Sequence, residues 1–288
     1  MVVTELDVEL PGGRRLHAYD TGADADVRLA VVWHHGTPAV GAPPRPLFAA
    51  AERLGIRWVS YDRPGYGGSS PHVGRDVGAA ADDVAAVADA LGLDRFAVMG
   101  HSGGGPHALG CAALLPDRVR AAVVLAGLAP LDATGLHWFA GMEAAAIGVL
   151  RATIEGPAAR AQHDAMFGPG RLPLTPADAT AVATDWGWIT EIADPPRAEG
   201  HRGQLDDDLA YVAYWGFDPE SITVPTLVGQ GGQDRVVPHA HGEWLAGAVP
   251  GADLWLHDDD GHVSVLDRAE DALAWLVEVT AAAAPARG

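Results

Sequence analysis

The chain has 288 residues, enough to bury a sizeable core in one large domain or two modest ones. Hydrophobic residues make up 48% and charged residues 20%, a globular balance, and a net charge of −19 disfavours a nucleic-acid partner. Every basic residue is arginine, which excludes a catalytic lysine, and the single cysteine, Cys111, permits no intrachain disulfide.

The first ten residues, MVVTELDVEL, carry three acids and no basic stretch. They do not read as a signal peptide, and a cytoplasmic location is expected. VTELDVEL and RRLHAYDTG flank a Pro-Gly-Gly turn and read as an antiparallel hairpin. RLAVVWHHG is a nearly continuous apolar run, as in a strand covered on both faces. The helix PLFAAAERLG, the strand IRWVSYD, the glycine-ended helix VGAAADDVAAVADALG and the strand RFAVMGHS follow. Next come the helix GPHALGCAALLPD and the strand VRAAVVLAGLAP. The longest uninterrupted apolar run, AAVVLAGLAPL at 121 to 131, is too short to span a bilayer, so no membrane partner is expected.

This alternation predicts an α/β fold, a parallel sheet with helices on both faces. It stops near Leu131. Residues 131–217 are helical in pattern, rich in aromatics and without a credible strand. Alternation resumes with the strand TVPTLVGQ, the helix HAHGEWLAGAVP, the strand ADLWLHD and the helix LDRAEDALAWLVEVTA. The expected organisation is therefore a core of 1–130 and 218–288, interrupted by a helical cap at 131–217. The tail AAAAPARG is expected to fray.

Gly100-His101-Ser102-Gly103-Gly104 is a G-x-S-x-G between a predicted strand and a predicted helix, the context that a nucleophile elbow requires. So sharp a turn strains the serine backbone. Gly100 and Gly104 read as relieving crowding around its side chain, and the run Gly103-Gly104-Gly105 as leaving space beside it. The N–H groups opening the next helix favour negative charge at the same place. A glycine cluster also suits a tight turn or a phosphate cradle. A P-loop, however, needs a lysine after its glycines, and a dinucleotide fold places them after its first strand.

A serine nucleophile needs a base and an orienting acid, and in this architecture both gather at the carboxyl ends of strands. Asp234 stands just past TVPTLVGQ, and His262 just past the last strand. Their order, Ser102, Asp234, His262, is the one expected with such an elbow. HHGTP, residues 34–38, follows the first parallel strand and offers the Thr37 N–H opposite that of Gly103 as an oxyanion hole.

These residues resemble the capped α/β-hydrolase-fold proteins of the H-G-x-P type. The likeness rests on His35-Gly36-Thr37-Pro38, the elbow, YDRPGYGGSS at 61–70, GGQDRVVP at 231–238 and DGHVSVL at 260–266. It covers the core and not residues 131–217. It implies a mostly parallel eight-stranded sheet, a Ser-His-Asp triad, a small-molecule substrate, and neither metal nor organic cofactor. Members that dehalogenate alkanes or open epoxides carry an aspartate in the elbow. Ser102 points instead to acyl transfer, with an ester, lactone, thioester or amide as substrate. Serine-based C–C hydrolases, haloperoxidase-like enzymes, hydroxynitrile lyases and hormone receptors share the pattern. A C–C hydrolase, a lyase or a non-hydrolytic ligand binder is thus the alternative. Gly103 stands where proline-releasing peptidases carry Trp, which lowers that reading.

Other candidates are weaker. Asp132 is a second possible acid. His239-Ala240-His241 resembles the H-x-H of binuclear metallohydrolases but lacks the Asp and His that follow it there. HDDDGH, 257–262, reads as an acidic loop leading to the histidine rather than a cation site. His101 and Cys111 read as packed residues. His34, Trp138, Trp186, Trp188 and Trp215 are the candidates for lining an apolar substrate pocket. The sequence does not set the oligomeric state.

Overall fold

In the computed structural model, which describes residues 1–23, 26–168, 173–193 and 202–282, the chain begins with an antiparallel hairpin. Its strands are β1 (Thr4–Glu9) and β2 (Arg15–Asp20), in register from Thr4 opposite Asp20 to Glu9 opposite Arg15. The strands β3 (Leu29–His34), β4 (Ile56–Tyr61), β5 (Phe96–His101), β6 (Val119–Leu125), β7 (Thr226–Gly231) and β8 (Asp253–His257) complete one eight-stranded sheet. Its order is β1-β2-β4-β3-β5-β6-β7-β8. β2 meets β4 antiparallel, and every pairing from β4 to β8 is parallel.

The central strands are largely apolar because both faces of the sheet are covered. Phe96 and Val98 of β5 join one core with α2 (Ala80–Ala90), α3 (Gly104–Leu114) and α9 (His239–Ala248). Ala97 and Met99 join the opposite core with α1 (Phe48–Leu54) and α10 (Ala269–Ala282). The two-residue period of the strand thus sorts alternate side chains into two hydrophobic layers.

Between β6 and β7 lie α4 (Ala144–Ile154), α5 (Pro157–Phe167), α6 (Pro176–Ala183), α7 (Trp188–Glu191) and α8 (Arg202–Val212). Among the described residues this segment adds no strand to the sheet, only an isolated bridge between Ala39 and Ala193. No described helix is long and apolar enough to cross a membrane. The last residues of the alanine-rich tail, 283–288, lie outside the described residues.

Candidate active site

The carboxyl end of β5 turns into α3 through Ser102, whose φ of 55° lies in the left-handed region that a non-glycine residue rarely adopts. The glycines around it answer backbone contacts rather than crowding of the serine side chain. A Cβ on Gly100 would collide with the Gly104 carbonyl, and one on Gly104 with the His34 carbonyl of β3. Nor does the run Gly103-Gly104-Gly105 leave open space. A Cβ on Gly103 would strike the Tyr211 hydroxyl and Thr37 Oγ1, and one on Gly105 would sit 2.7 Å from Val124 Cγ1.

Ser102 Oγ lies 2.9 Å from His262 Nε2, and His262 Nδ1 lies 2.8 Å from Asp234 Oδ2. Asp234 also accepts from the Val236 and Val237 N–H groups at 2.8 and 2.9 Å and from Gln230 Nε2 at 3.1 Å. Its two oxygens therefore hold four donors, which fixes the carboxylate and leaves Nδ1 of His262 as the protonated nitrogen. Nε2 then presents a lone pair to the serine hydroxyl, so the arrangement can move a proton from Oγ to the ring.

Beyond β3, Gly36 lies against Ser102: a Cβ on it would stand 3.6 Å from the Ser102 Cβ. Nδ1 of His35 donates to the Gly36 carbonyl at 2.8 Å, while its Nε2 accepts from the Arg63 N–H at 3.0 Å. The Thr37–Pro38 peptide bond is cis. Among the described residues no protein acceptor takes the N–H of Thr37 or of Gly103. A cavity of about 270 Å³ opens over Ser102 and His262. Trp33, Trp188, Ile192, Val236, Val263 and Leu266 give it mainly apolar walls. No group of three or more metal-ligating side chains occurs among the described residues.

The profile of the alpha/beta hydrolase fold family matches residues 30–269. The chain is an enzyme of the α/β-hydrolase fold family. A non-heme chloroperoxidase of Streptomyces lividans is 30% identical over 222 residues, 74% of this chain and 76% of that protein. A pimeloyl-[acyl-carrier protein] methyl ester esterase of Neisseria meningitidis is 31% identical over 223 residues, 76% of this chain and 81% of that one. The solved structure of a thermophilic esterase from Thermogutta terrifontis shares the fold with a TM-score of 0.67. It is 22% identical, over 96% of this chain and 99% of that one.

Of the five candidates for lining this α/β-hydrolase's pocket, Trp188 alone borders the cavity over Ser102. Trp138 donates its indole N–H to the Ala129 carbonyl at 2.8 Å and packs edge-on to His241. Trp186 donates to Asp267 at 2.9 Å, between α6 and the start of α10. Trp215 is buried against Phe217, beside an open groove of about 760 Å³ that also takes in Asp132 and Trp244. Their indoles fill joints between elements, where a large ring with one donor is best satisfied. His34 is buried at the end of β3, 3.7 Å from Cys111 Sγ, and burial lowers its pKa to about 3. Asp132 is exposed in the open groove, and Asp234 is the acid on His262.

Two further histidines singled out by the sequence, His101 and His241, are held by backbone groups. His101 donates from Nε2 to the His262 carbonyl at 2.9 Å, and burial lowers its pKa to about 3. His241 has both ring nitrogens on backbone groups, the Ala129 N–H and the Trp138 carbonyl, which leaves none for a metal.

Two buried carboxylates of the inserted segment escaped sequence reasoning. Asp178 of α6 accepts from the Val263 and Ser264 N–H groups at 2.8 and 2.9 Å, so it ties this helix to the loop carrying His262. Burial alone would raise its pKa, but backbone N–H groups of Ser264, Thr175 and Val263 outweigh it and hold the pKa below the usual value. Asp207 of α8 meets Arg63 at 2.7 Å, the Tyr66 hydroxyl at 2.8 Å and Thr37 Oγ1 at 2.8 Å. Burial opposes its charge too, yet Arg63 and Arg75 keep the carboxyl well below its usual range.

Proposed function

We propose that this enzyme is a serine hydrolase that cleaves an ester-type bond, in an ester, lactone or thioester, of a small and largely apolar substrate. The observation that carries the reading is the continuous chain Ser102 Oγ, His262, Asp234, with links of 2.9 and 2.8 Å. His262 takes the Ser102 proton as Oγ attacks the carbonyl. Asp234 holds the imidazole tautomer and stabilises the imidazolium. The Thr37 and Gly103 N–H groups receive the developing oxyanion, each worth about 3 kcal/mol by analogy with measured donors. His262 then returns its proton to the leaving group, and water activated by the same ring releases the acyl group. A cavity of about 270 Å³ lies at the small end of ligand sites, and its apolar walls suit a compact neutral substrate.

The test is turnover of short aryl esters with labelling by a fluorophosphonate. The wild type should hydrolyse the ester and carry the adduct on Ser102. Ser102→Ala should keep the fold, lose the label and fall below roughly a thousandth of wild-type kcat, since only oxyanion and binding effects remain. Labelling of Ser102 without turnover of any ester would turn the reading to C–C cleavage, a lyase or a ligand binder. An adduct on another residue would refute it.

A further inference from the structure

The two N–H groups assigned to the oxyanion sit on core loops, but the groups that hold those loops come from the inserted helix α8. Asp207 and Tyr211 stand four residues apart on it, hence on one face, and both are buried. Tyr211 donates its hydroxyl proton to the Gly103 carbonyl at 2.9 Å, and the Tyr211 hydroxyl oxygen lies 2.9 Å from Thr37 Oγ1. Thr37 Oγ1 donates to Asp207 at 2.8 Å and accepts from Arg63 at 3.1 Å. One helix face therefore grips the side chain of one oxyanion residue and the carbonyl of the other. His107 gives the same Gly103 carbonyl a second donor, Nδ1 at 2.8 Å, from within α3. The fit leaves no slack, because a Cβ on Gly103 would meet both the Tyr211 hydroxyl and Thr37 Oγ1.

We propose that Asp207 and Tyr211 are positioning residues for the oxyanion hole, so that the inserted segment, and not the core alone, sets the spacing of its two donors. The inference rests on the serine-hydrolase reading above. The Gly103 carbonyl lies in the peptide plane next to that of the Gly103 N–H, joined to it at one Cα. Clamping the carbonyl of Gly103 and the hydroxyl of Thr37 restrains the loops that carry both N–H groups. The arginines serve the same end: Arg63 and Arg75 neutralise Asp207, which lets a charged acceptor stay buried beneath Thr37. Nothing in this role touches substrate, so its signature is a loss of transition-state stabilisation without a loss of substrate binding.

Three variants test it: Tyr211→Phe, which keeps the ring, Thr37→Val, which keeps the shape, and Thr37→Ser, which keeps the hydroxyl. With a short aryl ester, kcat should fall about 10- to 100-fold in the first two, less than for outright loss of a donor, with KM within about twofold. The Ki of a trifluoromethyl ketone, whose hemiketal oxygen occupies the hole, should rise in parallel. Thr37→Ser should restore both. If Tyr211→Phe and Thr37→Val keep kcat and Ki within about twofold of wild type and lower only the melting temperature, α8 is fold glue and the inference fails. A wild type that neither turns over ester nor takes a fluorophosphonate on Ser102 sinks the hydrolase reading itself. A labelled, active wild type with unaffected variants sinks only the positioning role.

Discussion

Replacing Asp234 by Asn keeps the shape of the acid and inverts its hydrogen-bonding logic. The carboxylate accepts from four donors at 2.8 to 3.1 Å: Val236 N–H, Val237 N–H, Gln230 Nε2 and His262 Nδ1. An amide has one acceptor and one donor end. Turning its NH₂ toward the two backbone N–H groups sets donors head to head at two short contacts. The favoured orientation points NH₂ toward His262 and Gln230 instead. His262 then accepts at Nδ1, and its proton moves to Nε2, which faces Ser102. That ring cannot take the serine proton. The expected loss in kcat is about 10⁴-fold, or roughly 5.5 kcal/mol in activation free energy. Gln230 Nε2 keeps the Val237 carbonyl at 2.8 Å, but its second N–H loses its acceptor, which costs about 1–3 kcal/mol of stability, so the melting temperature should also fall by several degrees. The assay is kcat on one short aryl ester, with thermal melting to show that each variant is folded. Asp132→Asn is the control, since Asp132 lies exposed in the open groove, and it should stay within about twofold of wild type. An Asp234→Asn enzyme within about tenfold of wild type, or a severe loss in Asp132→Asn, would refute the reasoning.

Asp178→Asn should lower stability at pH 7 by about 2–4 kcal/mol, because charge-assisted bonds to Val263, Ser264 and Thr175 weaken. A carboxyl with a depressed folded pKa stabilises the fold above its unfolded pKa, near 3.9, and that contribution is lost as pH falls through the depressed value. The gap in melting temperature between wild type and Asp178→Asn should therefore close below about pH 4; a constant gap across a pH series would show that its charge is immaterial. Trp188→Ala should enlarge the cavity and shift kcat/KM toward bulkier acyl or alcohol groups, whereas Trp138→Ala should change stability and not the ranking; equal effects on an ester panel would show that Trp188 only holds its helix. Gly104→Ala should cost about 3 kcal/mol or more, since its Cβ would meet the His34 carbonyl, and a melting curve like that of wild type would count against the close contact of the elbow with β3.

The core was legible because its signals are local. β3 to β6 announce themselves as largely apolar runs once both faces of a sheet are covered, and the elbow needs only five residues in the right strand-to-helix context. Asp234 stands 28 positions before His262, and the stretch between them holds one helix and one strand, α9 and β8, which return the chain to the same end of the sheet. The aromatics of the inserted segment were not legible, because periodicity says that a ring is buried and not what it is buried against. Trp138, Trp186 and Trp215 each donate to a group of the protein, the last to the Tyr211 carbonyl at 3.3 Å, and only Trp188 faces the cavity. The glycine run misled in the same way. Three glycines read as empty space, yet Tyr211, Thr37, His34 and Val124 occupy what their missing side chains vacate.

The acidic run of α8 shows most plainly why part of the site was hidden. Asp206-Asp207-Asp208 looks like a solvated face in a chain of net charge −19. On a helix, successive residues point about 100° apart, so three consecutive acids cannot share one environment. Each finds its own arginine: Asp206 pairs with Arg202, Asp207 with Arg63 and Arg75, and Asp208 with Arg160. Burial decides what each pairing achieves. It lifts the Asp208 carboxyl to about 6 against the pull of Arg160, whereas two arginines keep Asp207 ionised. The difference depends on Arg63 and Arg75, more than a hundred residues earlier on the loops after β4. A charge that is costly to bury is stable there only because a core loop and an inserted helix supply its two halves. Such a contact forms only when both segments are in place, which couples the turn at Thr37 to the docking of α8 and leaves no trace in either stretch of sequence read alone.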